Sequence, residues 1–237
     1  MIPVDSIAYT LEDQQRMSRA KNYFAWQHRL IQNELGRRVL EVGCGVGNFT
    51  GKLLDRDAVI AVDLQPECIE RIKLRYADRP NLHAVVCDVL APEFRDLAKF
   101  NPDSSVVVNV LEHVQDDVAA LQAVASVLSP GGVIVLLVPA FPALYGPIDR
   151  NLGHHRRYSR AAIRGLAQRT GLRIRKLHYL NSIGLFGWWT NAHILKRQAQ
   201  SERQIEIFDR YLVPPMSALE RVISPPFGQS LLAVLGT

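Results

Sequence analysis

Three glycines alternate with other residues in segment 39–48, directly after a run of apolar residues. Gly43, Gly45 and Gly47 form a G-x-G-x-G pattern, and glycine allows a tight turn in which the backbone can approach a ligand. Residues 49–54 are typical of the start of a helix, whose N-terminus presents free N–H groups and a positive dipole end. This arrangement predicts a crevice that binds a nucleotide or nucleoside.

Carboxylates stand at three further positions where such a crevice needs them. Asp63 ends the second apolar run, where it could accept hydrogen bonds from both ribose hydroxyls. Asp88 ends the third run and could accept from an adenine amine, or it could instead cap the following segment. Glu41 lies just before the turn, where a carboxylate suits an ammonium group, unless it pairs with Arg38. Asn109 in the fourth run leads towards the same open edge.

Composition limits the class of protein. The chain has 237 residues, 48% of them hydrophobic, and a mean hydropathy near zero, which predicts an α/β domain with an appendage rather than disorder. No signal peptide and no apolar stretch of transmembrane length is evident. Cys44, Cys68 and Cys87 are predicted to be reduced thiols in a cytoplasmic protein, and we predict no metal ligands.

The net charge of +5 arises largely from segment 150–176, which holds eight arginines and one lysine but no acidic residue. Such a stretch would fit nucleic acid, anionic lipid or a small anionic ligand, but is more often a solvated face. The aromatic segment 184–189 could cover the acceptor pocket, form a dimer contact or touch a membrane peripherally. The sequence leaves these alternatives and the oligomeric state open.

Apolar runs and helical patterns alternate along the chain. Strands are predicted over 38–43, 58–64, 82–89, 105–111, 133–139, 172–179 and 230–235. Helices are predicted over 11–34, 48–54, 66–76, 116–128 and 160–170, with a cap at Ser159 and a stop at Gly171, and two or three more within 181–222. Segment 140–158 is predicted to be a loop. Because the strands are almost continuously aliphatic, we expect a doubly wound parallel sheet covered on both faces.

Five motifs in order, VLEVGCGVGNFT, VDL, CDV, NVLEHV and LSPGGVIVLLVP, resemble those of the class I S-adenosylmethionine-dependent methyltransferases over residues 36–140. The resemblance implies S-adenosyl-L-methionine as cofactor and a Rossmann-like, seven-stranded, mostly parallel sheet with an antiparallel last strand. It places the glycines around the methionyl moiety, Asp63 on the ribose and Asp88 near the adenine. The predicted cofactor-binding residues are Glu41, Gly43, Cys44, Gly45, Gly47, Asp63, Leu64, Asp88, Val89 and Asn109.

A nicotinamide dinucleotide is disfavoured on two grounds. Its G-x-G-x-x-G fingerprint would need a glycine where Asn48 stands, and Glu41 would repel a pyrophosphate. We expect one methyltransferase domain over 1–237. Its parts are a helical lid at 1–35, a cofactor-binding core at 36–140, a substrate-side loop, helix and strand at 141–179, a helical cap at 180–226 and a last strand at 227–237.

The segment after the fifth strand carries the candidate acceptor site. Two imidazoles, two guanidiniums and a phenol fall within five positions and could bind an anion through forked hydrogen bonds. The alternative is that the arginines pack on acidic residues and a histidine caps the next helix. The candidate general bases are His113, His154 and His155, and His113 could equally border the helix that follows it. The candidate substrate-binding residues are Tyr23, Trp26, Arg156, Arg157 and Tyr158, the first two as an aromatic lid or as plain packing.

LYGPIDRNLGHHRRYS also resembles a bacterial subgroup that includes O-methyltransferases of phosphonates and other small natural products. We therefore expect in-line methyl transfer to a small, anionic acceptor, at oxygen. A hydroxyl acceptor would need a histidine base, whereas a carboxylate, phosphate or phosphonate oxygen would need none. Two alternatives stay open: methylation of RNA or another nucleic acid, and a non-catalytic accessory protein that binds the cofactor. Nucleic acid is disfavoured because N-P-P-Y or D-P-P-Y is absent after the fourth strand and no RNA-binding module is recognisable.

Overall fold

Seven strands form one sheet in the computed structural model, which describes residues 4–194 and 201–237. The strands are β1 Arg38–Val42, β2 Ala58–Asp63, β3 Leu82–Val86, β4 Ser104–Val108, β5 Val133–Pro139, β6 Arg173–Leu180 and β7 Ser230–Gly236. Their spatial order is β3-β2-β1-β4-β5-β7-β6, and β7 is antiparallel to both of its neighbours while the other strands are parallel to one another. This confirms the predicted Rossmann-like fold.

Helices cover both faces of the sheet. They are α1 Val4–Met17, α2 Lys21–Ile31, α3 Pro66–Arg75, α4 Asp117–Val127, α5 Pro147–Asn151, α6 Arg160–Thr170, α7 Ser182–Trp189, α8 Glu202–Ile207 and α9 Val213–Val222. The predicted cap is confirmed, since the Ser159 side chain accepts from the Ala162 N–H and α6 ends at left-handed Gly171. Among the described residues, no helix combines the length and apolar character that crossing a membrane requires.

The central strands are buried on both faces, as their aliphatic runs predict. Leu40, Ile60 and Ile134, on β1, β2 and β5, are completely shielded from solvent. Each such side chain contributes roughly 1.5–3 kcal/mol through burial. The edge strands β3 and β6 are half exposed, so one side of each faces water.

The predicted single helix over 11–34 is wrong, because the chain breaks between α1 and α2. The apolar spacing continues across the break, which is why periodicity did not reveal it. The first N–H groups of α2 are satisfied from far along the chain: both carboxylate oxygens of Asp209 accept, from Asn22 N–H at 3.1 Å and from Tyr23 N–H at 2.8 Å. This tertiary cap replaces a local one.

Two further predictions need correction. Segment 48–54 is not an α-helix but holds only a 3₁₀ turn at Thr50–Lys52, and its Gly51 packs so closely on the end of α3 that an added Cβ would lie 2.5 Å from the Tyr76 hydroxyl. Segment 140–158 is not wholly a loop, since it contains α5 and a 3₁₀ turn at Pro142–Leu144. The predicted helices within 181–222 are confirmed, apart from residues 195–200, which lie outside the described residues.

Strand register brings the candidate site together. Val42 at the end of β1 lies beside Val62 of β2 and Val107 of β4. The carboxyl ends of these three strands therefore meet at one edge of the sheet, where ligands of doubly wound folds bind.

Candidate active site

The turn after β1 is built on glycines in left-handed conformations. Gly43, Gly45 and Gly47 have φ values of 73°, 51° and 82°, a region that other residues adopt only with strain. The Gly43 N–H donates to Val62 O at 2.8 Å, and the Gly45 N–H donates to Asp63 Oδ2 at 2.8 Å. Asp63 therefore positions the turn as well as ending β2.

Glu41 is a buried carboxylate beside that turn. Its side chain is 3% exposed, lines the cavity described below, and its Oε2 has no hydrogen-bond partner among the described residues. Burial raises its pKa to about 8. It is not paired with Arg38, whose Nε donates instead to Phe100 O at 2.6 Å. An unpartnered acceptor facing a cavity is suited to a cationic ligand group.

A cavity of about 230 Å³ opens at the carboxyl ends of β1 and β4. It brings together nine of the predicted site residues: Tyr23, Glu41, Gly43, Cys44, Gly45, Asn109, His113, His154 and Arg157. The cavity therefore contains predicted cofactor-binding residues and predicted acceptor-side residues together.

The N-terminal helices form one wall of this cavity. Gln14 of α1 bonds directly to the glycine turn, because its Oε1 accepts from Val46 N–H at 3.1 Å and its backbone oxygen accepts from the Asn48 side chain at 2.8 Å. Tyr23 lines the cavity, whereas Trp26 is buried in the core on the same side of the sheet. The aromatic wall is thus formed by Tyr23 with Phe24.

A buried polar network holds two further residues that line the cavity, His154 and Arg157. Asp149 of α5 is fully shielded, and its Oδ1 accepts from His154 Nδ1 at 2.9 Å and from Arg157 Nε at 2.8 Å. Burial acts to raise the pKa of Asp149, but the His154 hydrogen bond and the Arg157 charge outweigh it and lower the pKa below its usual value. Arg157 also donates to Ala140 O and stacks 4.4 Å over the Trp188 ring.

The turn after β4 places two titratable side chains in the same cavity. Glu112 is fully buried, and neither of its carboxylate oxygens has a hydrogen-bond partner among the described residues. Burial raises its pKa to about 7. The neighbouring His113 has its pKa lowered to about 3 by burial and by the charges of His154 and His155. The rings of His113 and His154 meet edge to face, with centroids 4.7 Å apart.

Three predicted acceptor-side residues lie outside this cavity. The His155 side chain is exposed, and its backbone N–H donates to Glu112 O. Arg156 pairs with Asp117 at 2.9 Å and lines a separate surface groove. The buried Tyr158 hydroxyl donates to the backbone oxygen of Leu111 or to Asp117, at 3.2 and 3.1 Å. Since Arg157 pairs with Asp149, both arginines contact acidic residues, as the alternative interpretation proposed. The catalytic role of His155 and the substrate-binding roles of Arg156, Arg157 and Tyr158 stay predictions.

The other predicted cofactor-binding residues do not line this cavity. Asp63 Oδ1 accepts from Gln65 N–H at 2.9 Å, and burial raises the pKa of Asp63. Asp88 Oδ1 accepts from Leu90 N–H, the local cap named as its alternative. Leu64 is 51% exposed, which leaves its side chain accessible to a ligand at the sheet edge. Val89 is buried, and Gly47 packs on α3. Their cofactor roles stay predictions.

Sequence reasoning missed Glu112, Asp149 and Gln14 as residues of the site. Glu112 follows β4 closely, as Asp63 ends β2, so its place at the end of a parallel strand was a usable signal. Asp149 stands five residues before His154 in a stretch that was predicted to be a loop. No local pattern indicated that α1 would reach the glycine turn through Gln14.

Comparison with known proteins decides the family. A model described as a methyltransferase domain matches residues 12–177 of the chain. The chain belongs to the methyltransferase domain family. This confirms the resemblance to the S-adenosylmethionine-dependent methyltransferases inferred from its motifs and the expectation that the protein is such an enzyme.

Individual relatives are more distant. A ubiquinone biosynthesis O-methyltransferase of Xanthomonas campestris pv. campestris (strain B100) is 36% identical over 105 residues, which are 43% of this chain and 42% of that protein. The match thus spans less than half the length of this curated relative.

Solved structures show the same fold. The N-methyltransferase NodS of Bradyrhizobium japonicum WM9, in complex with S-adenosyl-L-homocysteine, has a TM-score of 0.55 and 18% identity, covering 90% of this chain and 84% of that chain. A methyltransferase dependent on S-adenosylmethionine from Archaeoglobus fulgidus has a TM-score of 0.60 and 18% identity, covering 92% and 94%.

Proposed function

We propose that this methyltransferase transfers the methyl group of S-adenosyl-L-methionine to an oxygen of a small, anionic acceptor. One observation carries the proposal: a single cavity is lined both by the glycine turn with Glu41, which we call its cofactor end, and by His113, His154 and Arg157, which we call its acceptor end. Donor and acceptor would meet where these two groups face each other. The O-methyltransferase relatives, named for ubiquinone biosynthesis, support oxygen and a small molecule.

The residues of the cofactor end fit the proposed donor. Glu41 offers the ammonium group of the methionyl part a buried oxygen that has no hydrogen-bond partner in the described part of the chain. The left-handed glycines bring backbone close to that part, and Asp63 stands at the end of β2 for the ribose. When bound, the donor supplies a methyl group already activated by its positive sulfur, so the protein chiefly aligns the acceptor and excludes water.

The residues of the acceptor end bind and deprotonate a hydroxyl. Asp149 holds His154 through Nδ1, which leaves Nε2 available on the other side of the ring. His113 is the second imidazole at this position. Arg157 is partly engaged by Asp149 and Ala140, so its remaining N–H groups would meet the negative charge of the acceptor.

Methyl transfer to matched acceptors tests this function. Donor with a labelled methyl group would be supplied with catechol, with its carboxylated analogue 3,4-dihydroxybenzoate, and with bulk RNA. We expect label on a hydroxyl oxygen of the small molecules, none on RNA, and a KM lower by about tenfold for the carboxylated acceptor, the effect of one charge-assisted hydrogen bond. Label on RNA, or equal KM values, would contradict the proposal.

A variant pair isolates the arginine. Arg157→Gln should raise the KM of the carboxylated acceptor about tenfold and leave that of catechol unchanged. Arg169→Gln, on the exposed face of α6, is the control for a lost positive charge. Thermal unfolding of both variants separates loss of recognition from loss of structure.

We retain the expectation of a reducing, cytoplasmic environment as part of this proposal. It is supported by the three cysteines, each of which is a free thiol.

A further inference from the structure

Three metal-ligating side chains converge in the cavity. Glu112 and His113 come from the turn after β4, and His154 comes from the segment after α5. One donor atom of each lies within 4.8 Å of the other two. Ligands held about 2.0–2.2 Å from one cation lie roughly 3–4.4 Å apart, so small side-chain rotations would complete the geometry.

Glu112 is the side chain that most needs a partner. It is 0% exposed, and both of its oxygens lack a hydrogen bond within the described part of the chain. A buried carboxylate left unpaired costs several kcal/mol. The nearby charges of Asp149 and Arg157 already balance each other through their own ion pair. A cation beside Glu112 would compensate this charge.

His154 is already held as metal ligands usually are. Its Nδ1 is engaged by the buried Asp149, which fixes the ring and leaves Nε2 for a ligand. A ligating histidine almost always donates its other ring N–H to a carboxylate, a carbonyl or water. The Asp149–His154 pair therefore supplies the outer support that a ligating histidine needs.

We propose that Glu112, His113 and His154 bind one divalent transition-metal cation. Two imidazoles and one carboxylate suit Zn²⁺, Mn²⁺, Fe²⁺ or Co²⁺ better than Mg²⁺, which prefers oxygen ligands. This site departs from the sequence-based expectation of no metal ligands. With the cation bound, His113 and His154 would be ligands rather than free bases. The proposed function, on which this point rests, would then have the cation hold the acceptor oxygen and lower the pKa of its hydroxyl.

Cobalt is the probe, because its visible spectrum reports its ligands. The full-length protein, freed of metal with a chelator, would be titrated with Co²⁺ and in parallel with Zn²⁺ and Mg²⁺ by calorimetry. We expect one Co²⁺ and one Zn²⁺ per chain, a cobalt spectrum typical of nitrogen and oxygen ligands, and Mg²⁺ binding weaker by more than about tenfold. Absence of stoichiometric Co²⁺ and Zn²⁺ binding, or equal affinity for Mg²⁺, would overturn the proposal.

Variants locate the site. Glu112→Gln keeps the shape of the side chain and removes its charge, while His154→Gln removes a nitrogen ligand. Each should weaken Co²⁺ binding about 100-fold or more, which is a larger effect than the loss of an outer supporting residue would have. His83→Gln, on β3 against Phe100 and away from the cavity, is the matched control and should bind as the unaltered chain does. Unchanged Co²⁺ affinity in both ligand variants would overturn the assignment.

The readouts separate this inference from the proposed function. Binding of S-adenosylhomocysteine by the metal-free protein reports the cofactor end alone. If it binds while Co²⁺ does not, the metal site is wrong and the methyl-donor site stands. If Co²⁺ binds at one equivalent and no acceptor is methylated, the metal site stands and the proposed function fails.

Discussion

Replacing Glu41 by glutamine should make the protein more stable at alkaline pH and weaken its binding of the methyl donor. Burial raises the pKa of this carboxyl from 4.5 to about 8. Between those values the unfolded chain has released the proton and the folded chain keeps it, so the free energy of unfolding falls as pH rises. This decrease in the free energy of unfolding is absent below about pH 4.5 and complete above about pH 8.

The size of this loss of stability follows from the pH range over which it is measured. From pH 5.5 to pH 8, at about 1.4 kcal/mol for each pH unit, Glu41 should remove about 3 kcal/mol from the free energy of unfolding. Glu41→Gln should abolish this decrease. Any cost of burying the new amide is the same at both pH values, so it cancels when the two pH values are compared for each protein.

The assay is urea unfolding at pH 5.5 and pH 8.5, followed by circular dichroism. Glu67→Gln, on the exposed face of α3, is the control for loss of one carboxylate. It should leave the pH dependence as in the unaltered chain. An identical decrease in the Glu41 and control variants would refute a raised Glu41 pKa.

Ligand binding provides the second half of this prediction. S-adenosylhomocysteine carries the ammonium group, whereas 5′-methylthioadenosine lacks the amino-acid part altogether. Glu41→Gln should weaken the binding of S-adenosylhomocysteine about 10- to 100-fold and leave the affinity for 5′-methylthioadenosine unchanged. Equal weakening of both ligands would show that Glu41 acts on the structure of the site rather than on the ammonium group.

Three other substitutions give distinct outcomes. Asp63→Asn should weaken calorimetric binding of S-adenosylhomocysteine by roughly 1.5–3 kcal/mol, the value of hydrogen bonds to a charged group, and unchanged affinity would reject the ribose role. Gly45 has a φ of 51°, and an added Cβ would meet the side-chain oxygen of Gln14 on α1, so Gly45→Ala should cost about 1 kcal/mol or more in urea unfolding. A neutral effect would contradict the geometry of the turn. Asp149→Asn leaves the buried Arg157 without its charged partner and should lower the free energy of unfolding by about 3–5 kcal/mol. Asp57→Asn, at an exposed ion pair, is the control and should change it little. Equal losses of stability in the two variants would contradict the role of the buried network.

The sheet could be predicted because local residues mark its strands, although the predicted third and fourth strands run three residues beyond the observed ends at Val86 and Val108. β5 matches its prediction at both ends, since Gly131 and Gly132 precede it and Pro139 closes it. The helical content around the sheet was less predictable. The start of α2 depends on Asp209, which lies nearly 190 residues away in sequence and satisfies its first N–H groups. No pattern within residues 11–34 carries that information.

The candidate site also has one part that could be predicted from the sequence and another part that could not. The glycine turn and Glu41 follow from their place at the end of β1, and the structure puts them in one cavity. Which of the adjacent histidines faces that cavity could not be predicted, because it depends on the hydrogen bond between His154 and Asp149. The place of Glu112 after β4 was a usable signal, but its complete burial with no hydrogen-bond partner among the described residues is a property of the fold rather than of its neighbours in sequence.

Calorimetric titration of the unaltered protein with S-adenosylmethionine, S-adenosylhomocysteine and NADH tests the central claim most directly. Glu41 and the G-x-G-x-G turn predict that both sulfur compounds bind at one equivalent with micromolar dissociation constants, and that NADH does not bind, because its pyrophosphate would meet a carboxylate. Binding of NADH alone, or of none of the three, would contradict the assignment of this cavity to the methyl donor.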